Sequence, residues 1–176
     1  MKNFNEIIPE ELNENPFKLI GKDWMLITSE KDGRVNMMTA SWGGVGVLWN
    51  KNVATIYIRN SRFTKGFIND GDTFSLCVLD DTYRKELGYC GSKSGRDEDK
   101  VAATGLTVAH EKTEKNGECP YFSESGLVFI CKKLYAQEMS AENFTKEGSD
   151  FPKAFYADND WHTMYIAEIE KVLVKG

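Results

Sequence analysis

From residue 24 onward the chain is a succession of short runs patterned as half-buried strands, and the stretches between them do not supply regular crossover helices. Runs at 24–29, 34–40, 53–58, 74–79, 106–112, 127–138 and 163–174 read as strands. In the fourth, Phe74, Leu76 and Val78 alternate with Ser75, Cys77 and Leu79. Lys31-Asp32-Gly33 supplies a tight turn with glycine where positive φ is needed, so 24–29 and 34–40 form a hairpin. In the last run, Met164, Ile166, Ile169, Val172 and Val174 predict a strand that bends or changes faces. Short helices are expected at 62–69, 81–87 and 97–103, the last with acids in its first turn and Gly105 just past its end. Residues 41–46 and 88–95 read as glycine-bearing loops, and 141–160 as an acidic, aromatic-bearing excursion. Without β-α-β alternation, the expected fold is mainly β with short helices, a closed or nearly closed antiparallel β-barrel.

The chain has 176 residues and shows no repeat, linker or low-complexity segment, so 1–176 is expected to be one domain. Its net charge of −5 argues against nucleic acid as a partner, which favours a basic face. The polar segment 1–12 lacks an export signal, and no apolar run approaches the ~20 residues of a membrane span. A cytoplasmic location away from membranes is expected. Cys77, Cys90, Cys119 and Cys131 are widely spaced and read as reduced thiols, with Cys90, beside Gly91, the one to examine for reactivity.

Against this acidic background, Arg59-Asn60-Ser61-Arg62-Phe63-Thr64-Lys65 is a local positive spot directly after the apolar run 53–58. Guanidinium groups make forked hydrogen bonds to phosphate oxygens, and hydroxyls add neutral donors. A helix opening at Asn60 or Ser61 would aim unpaired N–H groups at the same anion. The plain alternative is a strand, a polar turn and a capped helix with solvated arginines. A second segment, Asn36-Met37-Met38-Thr39-Ala40-Ser41-Trp42-Gly43-Gly44, offers small residues whose backbone groups a flat ligand can approach. Its alternative is a strand entering a glycine-rich connection, with Trp42 filling a core.

The ordered pair N-x-M-T-A-S-W-G-G and R-x-S-R-F-T-K resembles the flavin reductase-like, FMN-binding split-barrel family, and within it the flavoredoxin-like branch. Residues 89–97, with Asp99-Lys100, and 161–169 extend the resemblance over roughly 23–174. It implies a homodimer of split barrels, each binding FMN non-covalently near the subunit interface. Asn36, Met38, Thr39, Ala40 and Ser41 would lie along the flavin ring, and Arg59, Ser61, Arg62 and Thr64 would hold the phosphate. Ser92, Ser94 and Gly95 would form a loop near the cofactor. His162 matches a histidine often placed near the flavin and is the candidate catalytic residue, its alternative being packing beside Trp161. Many relatives carry a histidine where this chain has Lys93, which separates FMN binding from direct use of NAD(P)H.

Two functions follow from the resemblance. One is an NAD(P)H:flavin oxidoreductase passing electrons through FMN to a flavin, a metal complex or a protein. The other is an FMN-binding electron carrier reduced by a partner protein. Other chemistries lack their residues. Gly44-Val45-Gly46 has no third glycine or following helix for a dinucleotide fingerprint. His110 and His162 have no zinc-like spacing with cysteine, and no G-x-S-x-G is present. Asp97, Glu98 and Asp99 are explained as helix-start acids.

Overall fold

The two-sided pattern of 74–79 determines the layering. In the computed structural model, which describes residues 4–114 and 117–176, Phe74, Leu76 and Val78 enter one buried cluster and Cys77 and Leu79 another. The sheet therefore buries both faces here, as an apolar strand of this kind must. Of the polar segment 1–12, residues 1–3 lie outside the described residues.

The strands are β1 (Phe4–Ile7), β2 (Met25–Lys31), β3 (Arg34–Ala40), β4 (Gly43–Leu48), β5 (Lys51–Arg59), β6 (Thr73–Val78), β7 (Val108–Lys112), β8 (Glu118–Phe122), β9 (Leu127–Glu138) and β10 (His162–Lys175). The helices are α1 (Pro16–Lys18), running into a π turn at Leu19–Asp23, then α2 (Thr64–Asp70), α3 (Arg84–Ser92), α4 (Lys100–Thr104) and α5 (Phe151–Phe155). The main antiparallel sheet has the order β3-β2-β6-β9-β10-β5-β4, with β1 also paired to β10. β7 and β8 form a separate hairpin.

The sheet curls. Met38 and Ala40 from one end of the path share a core with Ala54, Ile56 and Ile58 from the other, around Phe74, Phe129 and Tyr165. Yet β3 and β4 do not pair; only Ser41 and Trp42 join these two terminal strands. That gap makes the barrel split, and the site lies beside it. On the outer face, α3 and the β7–β8 hairpin cover the second core, which contains Leu26, Met37, Leu87, Cys90 and Phe122.

Local chemistry accounts for the agreements. Asp32 and Gly33 both take positive φ in the β2–β3 turn. Gly105 adopts the left-handed conformation past α4, and Asp99 caps that helix by accepting from the Val101 and Ala102 N–H groups. The bend expected in the last strand appears as register shifts in β10 at Ile166/Ala167 and Ile169/Lys171.

The departures have physical reasons too. Residues 43–48 form a strand where a loop is expected, because an edge strand tolerates glycine and close contact requires it. A Cβ on Gly43 would lie 2.8 Å from the Thr55 carbonyl oxygen. α3 runs through Ser92, past the expected end at 87, because it packs on β3, with Gly91 against Thr39. Thr39 fastens this contact by donating to the Leu87 carbonyl at 2.5 Å. α2 begins at Thr64, later than expected, after a turn in which the Arg62 N–H bonds the Arg59 carbonyl. β1 and β8 were not expected; Pro120 within β8 masks its strand character.

Candidate active site

The β5–β10 ladder brings the site's ends together. Arg59 stands opposite His162 in register, and the Asn60 N–H continues the pairing to the Trp161 carbonyl at 3.0 Å. β3 ends at Ala40 beside these termini. The result is a cleft of about 250 Å³ lined by Met38, Thr39, Ala40, Ser41, Trp42, Tyr57, Arg59, Arg62, Gly91 and His162. Backbone of β3 forms one wall, and the two guanidiniums supply its positive charge. A second cleft of about 560 Å³ shares Ser41, Trp42, Tyr57 and His162 with the first and extends toward Phe17, Ile20 and β4.

Beside the small cleft, next to Arg59, the donors of Ser61 already hold an anion, one belonging to the chain itself. Asp160 accepts from the Ser61 N–H at 2.8 Å through one carboxylate oxygen and from the Ser61 hydroxyl at 2.6 Å through the other. Arg59 lies 4.0 Å from the same carboxylate and donates to the Asp160 carbonyl (2.8 Å) and the Phe155 carbonyl (2.9 Å). Arg62 donates to the Gly91 carbonyl at 2.8 Å, and burial pulls its pKa below the ordinary guanidinium value. The Ser61 N–H, the Ser61 hydroxyl and Arg59 therefore form a cradle of the composition that suits a phosphate. In composition this donor set fits the anionic tail of FMN.

The expected residues separate into distinct groups. Met38, Thr39, Ala40, Ser41, Arg59, Arg62 and His162 line the small cleft, and Ser61 faces Asp160 beside it. Asn36 and Thr64 are instead buried and bonded to each other, Asn36 Nδ2 donating to Thr64 Oγ1 at 2.8 Å; they brace β3 against α2. Gly95 packs behind the same brace, where a Cβ would lie 2.2 Å from Asn36 Oδ1. Ser92 is exposed and donates to the Tyr89 carbonyl, while the Ser94 hydroxyl accepts from the Arg96 N–H. The residue of this region that lines the cleft is Gly91.

His162 is buried, and its Nδ1 lies 2.9 Å from the Tyr156 hydroxyl. Burial, helped by the Arg59 charge, lowers its pKa to about 4, so the imidazole is neutral at pH 7. Trp42, expected as possible core filler, is half exposed, with its ring 5.3 Å from that of His162 and 5.8 Å from Phe155. The excursion 141–160 thus contributes Phe155, Tyr156 and Asp160, none of them marked by a motif in the sequence. Its acids and aromatics were visible, but no periodicity tied them to a strand end.

Lys100 was also unexpected as a buried charge. Its ammonium donates to the Met37 carbonyl and, at 3.2 Å, to the Cys90 carbonyl, tying α3 to β3. Desolvation lowers its pKa to about 8. All four cysteines are buried free thiols, and burial raises Cys90 to about 11, against the reactivity considered for it.

A family model for the flavin reductase like domain matches residues 18–176. The chain belongs to this family. Among solved structures it is similar to a flavoredoxin from Methanosarcina acetivorans, with 19% identity, a TM-score of 0.65, and coverage of 85% of this chain and 67% of that one. It is also similar to the flavoredoxin of Desulfovibrio vulgaris (Miyazaki F), with 24% identity, a TM-score of 0.64, and coverage of 86% and 68%. A third similar structure is an FMN-binding domain of a flavin reductases-like enzyme from Shewanella baltica OS155, with 16% identity, a TM-score of 0.68, and coverage of 99% and 78%. Comparison with curated proteins gave no match. Family membership supports an FMN-binding redox function, on the split-barrel fold that these structures share with this chain. Among the described residues, no helix is long and apolar enough to cross a membrane.

Proposed function

We propose that the small cleft holds FMN, with the ring along Met38–Trp42 and the phosphate at Arg59, Ser61 and Arg62, and that the chain is an FMN-dependent oxidoreductase of the flavin reductase or flavoredoxin type. The observation that carries this reading is the convergence of Ser61 and Arg59 on a carboxylate at the end of a cleft walled by small-residue backbone. Bound FMN supplies the hydride and single-electron chemistry. The protein's residues do the rest. Met38, Thr39 and Ala40 present strand backbone to a flat edge, and Gly91 keeps the opposite wall low. His162 is held by Tyr156 in a neutral state, where it donates or accepts one hydrogen bond without adding charge to the ring. Trp42 stands between the two clefts and limits access of water.

In this proposal the electrons come from NAD(P)H or a redox partner and leave to a flavin, a metal complex or a protein. The second reading, a carrier reduced by a partner protein, is favoured by Lys93. Its side chain is exposed, forms an ion pair with Glu98 at 3.7 Å and lies outside the cleft lining. Anaerobic mixing of the FMN-loaded protein with NADH and NADPH decides: bleaching of the flavin on the turnover timescale identifies a reductase, and persistent colour identifies the carrier. Protein purified without flavin and unable to take it up would remove both.

The proposal includes a homodimer and a cytoplasmic location. β4 ends the sheet with an unpaired edge, and Phe17, Val47 and Trp49 expose large apolar groups. A second copy covering that face would exclude solvent from the large cleft; light scattering of the purified chain tests it.

A further inference from the structure

We propose that Asp160 is a built-in competitor for the cofactor's phosphate, so that FMN enters only when the strap 141–160 lets go of the anion cradle. The inference rests on the phosphate assignment above and goes beyond it. One carboxylate takes both the Ser61 N–H (2.8 Å) and the Ser61 hydroxyl (2.6 Å), leaving neither for a phosphate oxygen. The two anions cannot share these donors, and their like charges repel beside Arg59, which lies 4.0 Å from the carboxylate. The Asp160 side chain is 16% exposed, while Ser61 lies at the surface, so the contact closes the rim of the cradle.

Arg59 is one of the points that fasten the strap. Arg59 grips its backbone at Phe155 and Asp160, and the Tyr156 ring lies 5.4 Å from the Arg59 guanidinium carbon. The same segment delivers Tyr156 to His162 and Phe155 to Trp42. Displacing the Asp160 carboxylate therefore loosens the segment that also covers His162. Flavin without a phosphate does not contest the Ser61 donors and leaves the strap in place. The device distinguishes FMN from riboflavin by what each does to the strap, in addition to how tightly each binds. Where the closed strap predominates, the apparent affinity for FMN falls by the fraction of molecules that are open.

The test compares wild type with Asp160→Asn, which keeps size and one acceptor but removes the charge. Flavin fluorescence titration gives dissociation constants for FMN and riboflavin, and hydrogen exchange follows residues 141–160 and Ser61. Asp160→Asn is expected to bind FMN about tenfold more tightly, with riboflavin unchanged within about twofold. In wild type, FMN but not riboflavin is expected to raise exchange across 150–160. Equal or weaker FMN binding by a folded Asp160→Asn protein would overturn the proposal and make Asp160 a simple cap of the β5–α2 turn. Should neither protein bind FMN, the flavin reading fails separately, and titration with inorganic phosphate decides about the competitor. A Ser61 amide resonance that responds at lower phosphate in Asp160→Asn supports it, and identical titrations refute it.

Discussion

The two clefts that meet at Trp42 and His162 differ in size and in chemistry, and the smaller carries the charge. The larger, about 560 Å³, is lined by Phe17, Ile20, Trp42, Tyr57, Met139, Tyr156, His162 and smaller residues, with no Asp, Glu, Lys or Arg among the described residues. The smaller, about 250 Å³, has Arg59 and Arg62 and the backbone of β3. Volume measures how much apolar surface a ligand buries. Where its ends lie depends on a few precisely placed polar groups. On that ground the small cleft suits a phosphorylated flat molecule, and the large one suits an uncharged second reactant that approaches it from the β4 side. A dinucleotide's phosphates would have to find their cations elsewhere.

The strongest challenge to this contrast is to remove the charge. Arg59→Ala with Arg62→Ala should weaken FMN binding by about 100-fold or more, since hydrogen bonds to charged groups contribute roughly 1.5–3 kcal/mol each. Riboflavin should change by about twofold at most, and the cooperative melt should persist. Equal losses for both flavins in fluorescence titration would mean that the arginines support the wall and do not hold the phosphate.

A second test asks whether the small cleft needs the support behind it. Only this cleft has the Asn36–Thr64 brace, with Gly95 pressed against it. Gly95→Ala places a methyl 2.2 Å from Asn36 Oδ1, so the buried hydrogen bond must break or β3 must shift. The expected cost is about 2–3 kcal/mol in urea denaturation, from a strained contact plus an unsatisfied buried amide. A loss below about 0.5 kcal/mol would show that Asn36 turns aside freely.

These residues also show what a sequence discloses. The strands of the curled sheet were legible where pattern and turn chemistry coincide: 34–40 and 127–138 match β3 and β9 residue for residue. Gly43 misled, because glycine required by close packing looks the same as glycine required by a turn, while Gly88 and Gly91 are simply carried within α3. At the site, Met38, Thr39 and Ala40 of β3 and Arg59 of β5 were legible through the paired motifs, and Tyr57 of β5 was not. Asn36 and Thr64 belong to the same motifs, yet the structure turns them inward to each other. Asp160 and Tyr156 could not be read at all. Their roles depend on a return of the chain from a segment without periodic pattern, about 100 residues after the strand they meet.

His162, on the wall common to both clefts, offers a test through pH. Its pKa is about 4 in the folded chain against about 6.5 when unfolded, so between these values the unfolded chain binds more protons. The contribution is therefore fully present above pH 6.5 and is lost as the pH falls toward 4. From pH 7 to 5 it amounts to about 2 kcal/mol. Urea titrations of wild type and His162→Gln at both pH values should show that difference in the wild type alone. Parallel losses in the two proteins would mean that the imidazole is more open to water than its burial implies.

The smallest expected effect is the one most able to reverse the contrast between the clefts. Gly44 lines only the large one, and a Cβ there meets no atom within 4 Å. Valine suits an edge strand, so Gly44→Val should fold with a stability change within about 1 kcal/mol while projecting two methyls into the large cleft. If the flavin occupies the small cleft, its dissociation constant should stay within about twofold of wild type. The KM of a flat, uncharged electron acceptor should rise severalfold, because the space it needs has narrowed. A flavin affinity that falls together with the acceptor's would put the ring itself on the β4 side of Trp42, leaving the guanidiniums to hold a tail that reaches across from the other cleft.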